Sequence, residues 1–159
     1  MTVQPTQGGA HAVAGGRLWA GGAATAVVAA LIAVVGILLA RGVFDVPVLA
    51  PEGEGTWGDA DTGMYALWCA IAALLATGLM HLLVMSTPRP LLFFGWIMAL
   101  ATVAATLAPF VAEGSTSSKV ATAAINLLVG IAIGTLVSGA ARSAMRSRRT
   151  IPGGPQSRY

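Results

Sequence analysis

No aspartate, glutamate, lysine or arginine occurs between Leu18 and Ala40, Gly63 and Ser86, Leu91 and Ala112, or Val120 and Ala141. Charge is scarce throughout. Charged residues make up 9% of the chain, where a soluble domain has about 25%, and hydrophobic residues reach 56%. Mean hydropathy is +0.78. That composition excludes an ordinary soluble domain, which needs a charged exterior around its core. The missing intramembrane carboxylate also argues against a proton- or sodium-coupled carrier. Small four-helix multidrug exporters of similar length depend on one in their first helix, and here that helix has none. A single cysteine, Cys69, rules out an intramolecular disulfide and any C-x-x-C metal or redox site. The chain has no Ser/His/Asp set, H-E-x-x-H pattern, P-loop or Gly-rich dinucleotide fingerprint. We therefore assign no catalytic residue, no metal site and no cofactor, and expect no enzymatic activity.

What the chain does have is four apolar runs with short polar connections. Leu18–Ala40, bounded by Arg17 and Arg41, spans roughly 34 Å as a helix, enough for a hydrocarbon core of about 30 Å. It is longer than the apolar region of a cleaved signal peptide and is read as a retained first span. Residues 1–17 lack periodicity and are expected to form a flexible cytoplasmic tail. Residues 42–62 form the one substantial loop; they carry Asp45, Glu52, Glu54, Asp59 and Asp61 and no lysine or arginine. Its prolines and glycines preclude a long helix or a central strand. Asp59 or Asp61 is placed to cap the next helix. The second span is 63–86, with Tyr65 and Trp68 near its start as interfacial aromatics. Thr87-Pro-Arg-Pro90 is a tight turn, 91–112 is the third span, and 113–119 is a short polar loop. The fourth span is 120–141, and 142–159 is a basic cytoplasmic tail.

A net charge of +3 does not indicate nucleic acid here, because the charges lie outside the apolar runs and five of the nine cations fall in the last eighteen residues. They set orientation instead. With the amino terminus inside, Arg17, Arg89, Arg142, Arg146, Arg148, Arg149 and Arg158 are cytoplasmic, against Arg41 and Lys119 outside. The expected fold is an all-α membrane protein: four transmembrane helices in an antiparallel bundle with both termini cytoplasmic, in the inner (cytoplasmic) membrane.

The fourth span is the element against which the others are expected to pack. Thr122, Asn126, Gly130, Gly134 and Ser138 recur at intervals of four and include a G-x-x-x-G motif, the spacing that lets membrane helices approach closely. Asn126 lies about six residues, roughly 9 Å, inside the span, level with Thr106 and Cys69. Pro109 donates no hydrogen bond and leaves the Ala105 carbonyl without its usual partner. Asn126 is therefore expected to bond to Thr106 or to that carbonyl as packing glue; a ligand or ion contact is the alternative. Such a tie turns the G-x-x-x-G from a dimer motif into an internal seam. Thr77 and His81 belong to a second stripe, Cys69/Ala73/Thr77/His81. His81 is the one ionisable residue with a possible functional role, as a proton relay or quinone contact. Its plainer reading is a headgroup-level or structural histidine. A bis-histidine haem would need a second membrane histidine, which the chain lacks. Asp59-x-Asp61-x-Gly63 resembles the start of an EF-hand, but its glycine is one position early and its twelfth position is Ala70 inside a span. Docking of a partner is the more natural role for the acidic loop. Arg142, Arg146, Arg148 and Arg149 are expected to anchor at anionic headgroups.

The order of spans, the long acidic first loop, and a third span ending Ala105-Thr-Leu-Ala-Pro109-Phe before a short polar loop resemble an actinobacterial four-helix integral membrane protein family of unknown function. The likeness runs from Arg17 to Arg149. It also implies a histidine early in the fourth span, where this chain has Asn126. The family supplies no activity. The expected function is that of a non-catalytic interaction or accessory subunit of a larger membrane assembly, in contact with the lipid bilayer and another membrane protein or a second copy. A minimal oligomeric channel or carrier for a small solute is the alternative.

Overall fold

A computed structural model describes residues 8–51, 57–59 and 61–146. Four helices dominate: α1 (Gly8–Gly42), α2 (Thr62–Ser86), α3 (Pro90–Leu107) and α4 (Thr116–Arg146). All four are long and apolar enough to cross a membrane. Two short strands, β1 (Leu49–Pro51) and β2 (Trp57–Asp59), pair antiparallel between α1 and α2, with Leu49 opposite Asp59.

Local chemistry explains most boundaries. Asp61 accepts from the Met64 N–H at 2.8 Å and starts α2. Thr87 is extended because Pro88 follows it, and α2 stops there. Pro90 opens α3 at the position where its missing N–H costs nothing. Pro109 tightens the far end of α3 into the 3-10 turn Ala108–Val111. Ser115 caps α4 through the Ser118 N–H at 3.2 Å, so the helix begins inside the stretch 113–119 expected to be a loop.

A larger correction concerns α1. It begins at Gly8, inside the stretch 1–17 expected to be a flexible tail. Extending an existing helix adds a hydrogen bond for each residue ordered, which carries α1 through this stretch although its four glycines weigh against the three alanines. Residues 1–7 lie outside the described residues.

α4 touches each of the other three helices, as expected, but α1 shares the central position with it. α1 lies against both α2 and α4, whereas α3 lies against α4 and, less extensively, α2. The α1 face that makes this possible is small: Ala26, Ala29, Ala33, Ile37 and Ala40 are buried. A Cβ on Gly22 would overlap the Thr77 side chain, and one on Gly36 would stand 2.8 Å from Ile125 Cγ1. α4 answers with Ile125, Val129, Ile133, Val137 and Ala141. α3 contributes only Phe94 as a buried side chain and is the peripheral helix.

The acidic loop is built into the fold at one end. Val46 N–H returns to the Ala40 carbonyl at 2.9 Å, and Asp45 takes a left-handed backbone (φ 52°), which aspartate tolerates better than most residues. Val48 is fully buried, and the Leu49 N–H donates to Thr122 Oγ1 of α4 at 2.9 Å. Against Leu49 lies Gly114, whose φ of 147° favours glycine; a Cβ there would stand 3.3 Å from Leu49 Cδ1. We call this the hairpin end and the opposite one the arginine end.

Candidate functional site

The four-residue stripe on α4 is best followed from the hairpin end. Thr122 is buried; its hydroxyl donates to the Ser118 carbonyl at 2.8 Å while accepting from Leu49. One turn on, Asn126 Nδ2 donates to the Ala105 carbonyl at 2.7 Å, the carbonyl left open by Pro109. The amide oxygen of Asn126 accepts from the Tyr65 hydroxyl of α2. One side chain therefore ties α4 to both α2 and α3, with its donor and acceptor sides both engaged. At Gly130 a Cβ would overlap the Thr102 side chain of α3, and at Gly134 it would sit 3.7 Å from Met98 Cβ. The G-x-x-x-G spacing thus lies against α3 of the same chain. Ser138 is half-buried, and Arg142 and Arg146 are exposed on the last turns.

Other residues named from the sequence stand apart from this tie. Thr106 does not reach Asn126; its hydroxyl donates to Thr102 of its own helix at 2.7 Å. Back-bonding of this kind is the usual resort of a helical threonine with no polar neighbour across the interface. Pro109 is buried in the 3-10 turn and acts only through the N–H it lacks. Thr77 is fully buried, bonds to the Ala73 carbonyl at 2.9 Å and packs on Gly22. His81 is half-buried near the arginine end, with the Trp19 ring centroid 6.5 Å away and Gly15 beside it. No three His, Cys, Asp or Glu side chains come together among the described residues. Asp61, the loop carboxylate that an EF-hand reading would use, is the α2 cap. Arg148 and Arg149 lie outside the described residues, as do Glu52 and Glu54.

Tyr65 is the participant that sequence reasoning passed over. Its place near the start of the second span suggests an interfacial aromatic, yet it lies one turn before Cys69, which is level with Asn126, and a tyrosine ring is long enough to close that gap. The Leu49–Thr122 bond carried no sequence signal, because its donor is a backbone group. Chemically the arrangement is a clamp. Its polar groups satisfy one another, and neither a nucleophile–base pair nor a ligand cluster accompanies them among the described residues.

The fold and this seam define a class: a small all-helical protein whose four helices suit a bilayer and whose polar interior groups hold helices together. Within that class the chain belongs to the family of unknown function DUF6069, whose model matches residues 13–143. That range runs from α1 almost to the end of α4. No curated protein and no solved structure matches the chain.

Proposed function

We propose that this protein is a non-catalytic, multi-pass integral membrane protein of the inner (cytoplasmic) membrane that serves as an accessory or interaction subunit of a larger membrane assembly. In this reading its helices form an antiparallel bundle with both termini cytoplasmic, as the distribution of arginines favours. The observation that carries the proposal is the state of the polar groups inside the spans. None is charged, and Asn126, Tyr65, Thr77, Thr106 and Thr122 are engaged within the chain. His81, Thr102 and Ser138 are left without a hydrogen bond among the described residues, a short list from which to bind or relay a solute. The α4 small-residue stripe is likewise used within the chain as far as Gly134, and the hairpin end is the extramembrane surface left for a partner. The basic turns of α4 hold the opposite end at the headgroups.

Purification in a mild detergent followed by mass spectrometry of co-purifying chains tests this. A larger membrane protein at fixed stoichiometry, lost when the hairpin is altered, is the expected result. A homogeneous homo-oligomer that conducts or transports a solute in liposomes would overturn it in favour of a channel.

A further inference from the structure

The stripe on α4 does not end at Ser138: continued at the same interval it reaches Arg142 and Arg146. A four-residue step advances 400° on a helix of 3.6 residues per turn, so the stripe rotates by about 40° at each step. It faces α3 at Gly130 and Gly134, and at the arginine end it has turned toward the open side of the seam, where Ser138 is half-buried and both arginines are exposed. We infer that this end of the α3–α4 seam binds an anionic glycerophospholipid, with its phosphate on Arg142 and Arg146, its ester region at Ser138 and an acyl chain beside Gly95.

Three observations converge on that occupant. The first is room. Stepping from the contacts Gly130–Thr102 and Gly134–Met98 brings Ser138 level with Phe94 and Gly95 of α3. Phe94 is turned into the core, whereas Gly95 is exposed and a Cβ on it would meet nothing within 4 Å. The second is an unmet donor. Thr25, Thr77, Thr106, Thr122 and Thr135 each donate to the carbonyl four residues back; among the described residues Ser138 has no hydrogen-bond partner, a state it shares with Thr102 of α3, but Ser138 alone of the two lies beside the arginines. A hydroxyl one turn, roughly 6 Å, inside the headgroup level needs an acceptor that water does not supply there. Glycerol ester oxygens lie at that depth. The third is charge. Arg142 and Arg146 share a face, Arg89 stands at the start of α3 at the same end, and a guanidinium matches a phosphate bidentately. A second copy of the chain would set arginine against arginine here, so a lipid fits where a symmetric neighbour does not.

The inference rests on the proposed placement of the arginine end at a headgroup layer, and the test separates the two. The full chain is reconstituted in equal amounts of phosphatidylglycerol and phosphatidylcholine, extracted in mild detergent, and its retained lipid measured by native mass spectrometry. We expect preferential retention of phosphatidylglycerol, falling at least fivefold in Arg142→Gln and in Gly95→Leu, which fills the space without altering charge. It should change less than twofold in Arg17→Gln. Ser138→Ala should give an intermediate loss. Equal losses in Arg17→Gln and Arg142→Gln, with Gly95→Leu unaffected, would leave a diffuse basic anchor and overturn the seam site. No preference in the unmodified protein would overturn both. Unchanged helicity and melting of each variant, read by circular dichroism, guard against misfolding; Arg142 and Gly95 are exposed.

Discussion

Asn126 holds three helices through two hydrogen bonds, and its replacement is not a simple deletion. In Asn126→Leu the Ala105 carbonyl loses its donor and the Tyr65 hydroxyl loses its acceptor. Interhelical hydrogen bonds in membranes contribute about 0.6 kcal/mol on average and rarely more than about 1.7. Two together put the loss in the range of about 1–3 kcal/mol, with Tyr65→Phe costing roughly half as much. Thermal or denaturant melting in detergent should show that order; an unchanged Asn126→Leu would mean the tie is ornamental. Pro109 supplies a sharper check, since it is what leaves the Ala105 carbonyl open. Pro109→Ala restores a backbone donor to that carbonyl, so Asn126→Leu should cost measurably less in a Pro109→Ala chain than in the unaltered one. Equal costs in both backgrounds would break the link between the two residues. Gly130 offers a steric counterpart. Gly130→Ala drives a methyl into Thr102 and should destabilise by about 1–3 kcal/mol, with partial rescue by Thr102→Ala, because overpacking is relieved when the obstructing side chain is shortened.

Between elements, the decisive feature is that the loop between α1 and α2 is pinned to α4. Thr122→Val keeps shape and removes the acceptor of the Leu49 N–H. A backbone donor buried without a partner costs about 1–3 kcal/mol, so β1 should detach before the helices separate. Hydrogen exchange would show Leu49 and its neighbours losing protection while α2 and α4 keep theirs; uniform loss across the chain would mean that the hairpin and helices unfold together. The same loop shows where sequence reading reaches its limit. The four spans were legible because uncharged runs, paired prolines and capping residues each announce themselves locally. The Asn126 tie was half legible: Pro109 names the open carbonyl, but nothing in one dimension says that Tyr65 completes the bond. The centrality of α1 was missed for a related reason. Its small residues are scattered among many other alanines, and only the paired helices reveal that Gly22 meets Thr77 and Gly36 meets Ile125. The start of α1 at Gly8 was hidden by a composition that suits a loose tail and a helix equally well.

For the whole molecule, the two ends differ in charge, and this difference gives the proposed orientation its test. Arg17, Arg89, Arg142 and Arg146 lie at one end; Asp45, Asp61 and Glu113 lie at the other with Arg41 and Lys119. A residue moved from one side to the other must carry its neighbours with it, because α1 to α4 pack as one unit. In a Cys69→Ala background, Asp45→Cys and Arg146→Cys place single thiols at exposed positions on opposite ends. A membrane-impermeant maleimide added to intact cells should label Asp45→Cys and leave Arg146→Cys unlabelled until the membrane is opened. The reverse pattern would invert the molecule and move the hairpin to the cytoplasm, where any partner it meets would be a different set of proteins. Labelling of both from outside would show two orientations in one membrane, the arrangement expected if the arginines set no preference. Only the first pattern is compatible with an accessory subunit that presents its hairpin to the exterior while Arg142 and Arg146 engage cytoplasmic-leaflet phosphates. The same labelled chains, carried through detergent extraction, then report whether the co-purifying partner shields Asp45→Cys, as docking at the hairpin end requires.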